Sequence, residues 1–93
     1  MKSLEWYLKF IQRFDPLSVD EEKITMLKAK QGSVSAREKI LNHNLRFVVS
    51  VAKKYQNQGM PLEDLISEGN KGLIKAYEKF DISREVRFIT YAV

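Results

Sequence analysis

The first apolar residues, Leu4, Tyr7, Leu8 and Ile11, recur at the i, i+3, i+4, i+7 spacing of a core-facing helical stripe behind a capping Ser3. Trp6 and Phe10 point the other way, so this helix is either sandwiched or presents a ring pair to a partner. Arg13-Phe14-Asp15-Pro16-Leu17 stops it, because proline disfavours a helical conformation in the residue before it. Ser18 and Glu21 have capping-box spacing, and Asp20, Glu21 and Glu22 load the first turn of a second helix with the charge its dipole favours. That helix is expected to end at Gly32 and, with a thin stripe of mainly Ile24 and Leu27, to pack peripherally.

Ser35 and Glu38 repeat the capping-box spacing and predict the longest helix, running to about Gln58 before Gly59 takes a left-handed turn. Ile40, Leu41, Leu45, Phe47, Val48, Val49, Val51, Ala52 and Tyr55 cover roughly half its circumference, which requires neighbours on two sides. Asn44 falls inside this arc and needs a hydrogen-bond partner, either internal or a ligand at the rim of the core. Pro61 suits the first position of the next helix, which spans 61–80. Its buried arc holds Leu62, Leu65, Ile66, Gly69, Leu73, Ala76, Tyr77 and Phe80. Gly69 and Gly72 each cost about 1 kcal/mol of helix propensity relative to alanine, and close approach of the preceding long helix is the expected compensation. Asp81-Ile82-Ser83 reads as a turn, and a last apolar stretch, Phe88 to Val93, begins a fifth helix without a stop signal. The chain therefore reads as a fragment: all-α, one compact bundle of about four helices plus the start of a fifth.

The opposite side of the 61–80 helix is unusual. Glu63, Asp64, Ser67, Glu68, Asn70 and Lys71 cover it, and Ile74 stands among these polar groups, where a solvated surface has no use for it. An acidic, amide-bearing face around one apolar anchor is the surface of a partner-binding helix whose partner is basic or mixed in charge.

Composition sharpens this without changing it. Ninety-three residues, 44% apolar, two prolines and four glycines make one small globular domain. There is no cysteine, so disulfides and thiolate metal sites are excluded and a reducing, cytoplasmic setting is the default. No apolar run has membrane-spanning length and no signal-peptide core is present. Net charge is +4, but residues 37–61 carry five basic groups against one acidic, while 62–82 carry three against five. A positive central stretch beside an acidic helix suggests two partners, one of them a polyanion; two solvated faces are the plain alternative.

Chemistry is largely absent. His43 is the only histidine and reads as a surface residue. Glu63, Asp64 and Glu68 do not converge as metal ligands would. No phosphate loop, nucleophile elbow or zinc motif occurs, so no catalytic residue, cofactor, metal or small-molecule substrate is expected. Gly69-Asn70-Lys71-Gly72 has the letters of a GxxG loop but sits in helical periodicity. Phe47 and Tyr55 on the basic stretch, with Arg84, Arg87, Phe88 and Tyr91, have the composition of a single-strand site, or are simply core.

The residues Asn44 to Tyr55, Asp64 to Asn70, Gly72 to Ala76, Lys79-Phe80-Asp81 and Phe88 to Ala92 resemble, in order and spacing, the second region of the primary sigma factors of bacterial RNA polymerase. About half the chain carries this resemblance. Residues 35–93 would be a partial second region and 1–34 the helical pair preceding it. The resemblance implies a non-enzymatic transcription-initiation factor whose partners are the beta-prime clamp helices of the polymerase core and, in the full-length protein, single-stranded promoter DNA. It assigns polymerase docking to Asp64, Glu68, Asn70 and Ile74, with Ser67 and Glu63 on the same face and Leu45 and Val48 at the rim. Glu63 and Ser67 replace the commoner leucine and glutamine. It assigns the last minus-ten thymine to Asn44, Phe47 and Thr90, the flipped adenine to Arg87, Phe88 and Tyr91, and the strand just downstream to Tyr7 and Leu8. Arg46, on the exposed basic surface beside Phe47, joins the strand-binding set. Ser83, Glu85 and Val86 depart from basic, glycine and aromatic positions, and the paired tryptophans would follow Val93, so weak promoter binding by this fragment is expected. The alternatives are a helical adaptor or anti-sigma-like module without DNA binding, and a free-standing DNA-binding domain.

Overall fold

The computed structural model describes residues 2–81 and 87–88. Among them are five α-helices: α1 (Lys2–Ile11), α2 (Val19–Lys30), α3 (Val34–Asn42), α4 (Leu45–Lys54) and α5 (Leu62–Lys79). The all-α class stands. The turn after Phe80 and the start of the last helix lie largely outside the described residues.

α1 buries the predicted stripe, with Ile11 1% exposed, and leaves Trp6 64% exposed. Its end tightens through successive i→i−3 bonds, Gln12 to Lys9, Arg13 to Phe10 and Phe14 to Ile11, before Pro16 forbids continuation. α2 opens with the capping box as read: the Glu21 amide donates to Ser18 Oγ and the Ser18 amide to Glu21 Oε1. Its exit is a Schellman turn. Gly32 has φ +107°, its amide donates to Ala29, and that of Ser33 to Lys28.

Two expectations are corrected here. α2 does not bury Ile24 and Leu27, which are 58% and 47% exposed; it buries Glu22, Thr25, Met26 and Ala29. A buried polar anchor decides this face. The Glu22 carboxylate accepts from the Phe88 amide at 3.0 Å and from Arg87 Nε at 3.2 Å, so turning α2 to bury Ile24 would break both. Nor is there one long helix from Ser35 to Gln58. Ser33, not Ser35, caps α3, accepting from the Ala36 amide, and α3 and α4 separate at His43–Asn44. Asn44 Nδ2 donates to the Ile40 carbonyl at 2.7 Å, satisfying a group that a continuous helix would have bonded to the backbone amide of Asn44. That is the competition by which asparagine interrupts helices.

α4 and α5 pack against each other, and the predicted close approach is real: a Cβ on Gly69 would lie 2.6 Å from Val48 Cγ1. Gly72 has nothing within 4 Å, so no close approach explains it. Two apolar clusters result. One joins Leu17, Met26, Ile40, Val48, Leu73, Tyr77, Phe80 and Phe88; the other gathers Ile11, Val49, Ala52 and Ile66 beneath α1, and Leu45 packs against both. Lys30 ties α2 to the end of α5: its Nζ donates to the Tyr77 carbonyl and sits 4.1 Å from the ring centroid, a cation placed where the helix dipole is negative. Desolvation lowers the Lys30 pKa, partly opposed by Glu78, and burial raises that of the Tyr77 phenol against the opposing charge of Arg37. Among the described residues, no helix is long and apolar enough to cross a membrane.

Candidate functional site

On α5 the polar face reaches solvent in part. Asp64, Ser67 and Glu68 are exposed and Glu63 is half-buried. At about 100° per residue, Asp64 and Glu68 stand within about 40° of each other, with Glu63, Asn70 and Ile74 grouped toward one edge. Ile74 is 39% exposed, an isoleucine held in solvent. Glu68 reaches Lys71 at 3.6 Å, with both side chains mostly in water, so the pair is weak and leaves the carboxylates available to a partner.

Asn70 is not a free surface amide. It is half-buried, its Nδ2 donates to the Tyr7 hydroxyl at 3.2 Å, and its Oδ1 is buried with no hydrogen-bond partner. Two residues assigned to different partners, Tyr7 and Asn70, are thereby joined across the α1–α5 contact. Leu45 is half-buried between the clusters, and Val48, at 6% exposure, lies behind Gly69 in the core. The rim position expected for Val48 is thus corrected: in this structure it shapes the approach of α4 to α5 rather than presenting itself.

The strand-binding candidates divide in the same way. Phe47 is 37% exposed. Asn44 has its amide turned inward to Ile40, which settles its partner as internal. Arg46 pairs with Asp15 at 2.9 Å. His43 is less a plain surface residue than expected: half-buried, it has Nδ1 within 2.5 Å of the Asp15 carbonyl and its ring edge-on to Phe14. Tyr7 and Leu8 are half-buried in the second cluster. Phe88 is fully buried, with its ring centroid 5.5 Å from that of Phe80 and 6.4 Å from that of Tyr77, both edge-on. As placed, it is a core residue and offers no face to a base. Arg87 spends its donors on Glu22 and on the Leu17 carbonyl. Thr90 and Tyr91, like Ser83, Glu85 and Val86, lie outside the described residues.

Two features escaped the sequence reading. The first is the Glu22 anchor that seats Arg87 and Phe88; nothing in a run of three acidic residues distinguishes the buried one. The second is an open groove of about 440 Å³ between α4 and α5, lined by Phe47, Val51, Tyr55, Leu65, Gly69 and Gly72, with Glu68 its one charged lining residue. Two glycines three residues apart on α5 were its signal, since missing side chains there leave the wall open. Among the described residues, no cluster of histidine, cysteine or carboxylate groups could hold a metal ion.

A family model described as Sigma-70 region 2 matches residues 40–93. The chain is 48% identical over 86 residues to the RNA polymerase sigma factor SigA of Listeria monocytogenes and 51% identical over 86 residues to that of Clostridium acetobutylicum. Each alignment covers 92% of this chain and 23% of the relative, so the chain spans about a quarter of the length of the curated relatives it matches.

Proposed function

The chain belongs to the sigma-70 region 2 family, and we propose on that footing that it serves transcription initiation by docking on the beta-prime clamp helices of RNA polymerase through the exposed face of α5. Asp64 and Glu68 supply charge for basic groups of the clamp, Ser67 and Glu63 tune its fit, Asn70 contributes an amide at the edge, and Ile74 is the apolar anchor. The observation that carries this reading is the exposure of Ile74 at the edge of the face that carries Asp64 and Glu68: an exposed apolar contact with complementary charge on the same face is where binding energy concentrates. Val48 and Leu45 act from behind, by setting the position of α5.

The same reading assigns the chain a share in holding the melted minus-ten strand, with Phe47 the accessible ring, Arg46 the nearest cation, and Asn44, Tyr7, Leu8, Arg87 and Phe88 placed to position that surface; Thr90 and Tyr91 complete the set. Nothing in this role is enzymatic, and its setting is the cytoplasm. Residues 1–34 form the helical pair that precedes the partial second region at 35–93.

The test is capture of isolated clamp helices by the chain. Binding is expected, and Ile74→Ala or Asp64→Lys should weaken it by roughly tenfold or more, as expected for a buried anchor or a reversed charge at an interface. Retained binding in both variants would remove α5 as the docking face.

A further inference from the structure

The outer side of α2 holds apolar residues that neither the core nor the α5 face uses. Ile24 and Leu27 stand 58% and 47% in solvent, because Glu22 on the other side of the helix fixes which face turns inward. On the helical wheel Asp20, Ile24, Leu27 and Gln31 fall within about 60° of one another, and all four are exposed. The steps between them, four residues, then three, then four, are those of a seam along which one helix packs on another.

Charge selects the occupant. The exposed acids of the first turn are Asp20 and Glu21, and Lys28 lies in the last turn. Glu21 and Lys28 share one flank of the seam, about 20° apart on the wheel. Neither Asp20 nor Lys28 enters an ion pair among the described residues. A partner of a single charge would be repelled at one end of this face. A surface with the same order of charge, laid end for end, is attracted at both, and that surface is α2 itself. Twofold pairing of two antiparallel copies sets Ile24 against Leu27, Asp20 against Gln31 and Glu21 against Lys28, each contact made twice. The opposed helix dipoles add to the attraction. On the other flank Lys23 is the one free cation among the described residues of α2, since the Lys30 ammonium turns away to the Tyr77 carbonyl.

We propose that this face of α2 is an interface with a second copy of this chain, formed by antiparallel, twofold pairing of the two α2 helices. It makes no use of Ile74, Asp64 or Glu68 and so does not rest on polymerase docking. One short seam is small beside a standard protein interface, so the dimer is weak and reversible.

Sedimentation equilibrium of the chain, over a concentration series reaching millimolar, tests this. A mass rising from monomer toward dimer is expected. Leu27→Gln, an exposed change that acts twice in a twofold contact, should weaken association by roughly tenfold or more. Lys28→Glu alone and Glu21→Lys alone each set like charges opposite one another and should weaken it as well. An equimolar mixture of those two variants restores both attractions and should associate more tightly than either does by itself. Glu21→Lys keeps the Ser18 hydroxyl as acceptor for the first turn, and circular dichroism melts check that each variant is folded. A chain that stays monomeric throughout the series overturns the proposal. So does association that survives Leu27→Gln, or a mixture of the two charge variants that gains nothing over its components. Association lost in Ile74→Ala but intact in Leu27→Gln would make the α5 face the self-contact and also overturn it. Clamp-helix capture is expected to be unchanged by Leu27→Gln, so its failure in the wild type would remove the docking reading and leave this interface standing.

Discussion

Replacing Gly69 by alanine places a methyl group 2.6 Å from Val48 Cγ1, well inside van der Waals contact. Two effects oppose each other. Alanine is worth about 1 kcal/mol more than glycine in a helix interior, whereas forcing a methyl into a packed contact costs about 1–3 kcal/mol. Val48 cannot turn away easily: it is buried, and a β-branched side chain in a helix has one strongly preferred rotamer. Gly69→Ala is therefore expected to be neutral to about 2 kcal/mol destabilising. Gly72→Ala supplies the internal control, because it adds the same methyl three residues later with nothing within 4 Å; it should stabilise by up to about 1 kcal/mol. In a domain of this size each kcal/mol moves Tm by about 4–8 °C, so thermal melts followed by circular dichroism separate the two variants. Val48→Ala combined with Gly69→Ala should recover part of the loss, a coupling of about 1 kcal/mol or more between touching residues. If Gly69→Ala raises Tm as much as Gly72→Ala, the α4–α5 approach described above is wrong.

The remaining expectations concern the polar anchors. Glu22→Ala leaves the buried Phe88 amide without its acceptor and should cost about 1–3 kcal/mol, whereas Glu22→Gln, which still accepts one bond, should cost less; urea denaturation ranks them. The Glu21 carboxyl is held below its ordinary value of 4.5, first by the hydrogen bond from the Ser18 amide and then by the Ser18 side chain. Its contribution is thus fully present above that ordinary value and lost as pH falls through the lowered one. Denaturation measured across that range in wild type and Glu21→Gln should converge at low pH, and parallel curves would refute the cap. Ser18→Ala should cost about 1 kcal/mol through the lost N-cap. Asn44→Ala should cost about 1 kcal/mol by leaving the Ile40 carbonyl unsatisfied, read as a lower urea midpoint at unchanged slope.

Helix existence was legible because apolar spacing, Ser18–Glu21 and the glycines at 32 and 59 are local signals with local causes. So was the exposure of Ile74, which no periodic core could use. The misreadings share another cause. At Asn44 an amide competes with its own backbone, and at Glu22 a carboxylate finds donors 65 and 66 residues away. Neither is a pattern in the order of residues; each depends on what the folded chain brings near. The α2 face was therefore read by its apolar residues when a buried charge sets it.

That distinction reorders the candidate contacts. Ile74, Asp64, Glu68 and Phe47 present themselves to solvent, so substituting them should alter binding and leave stability nearly unchanged. Val48, Asn44, Arg87, Phe88 and the Tyr7–Asn70 pair hold elements in place, and a loss of binding on changing them is expected to come with a loss of stability. The proposed function places both groups in one set. Packing separates the residues that solvent can reach from those that only hold other elements in place.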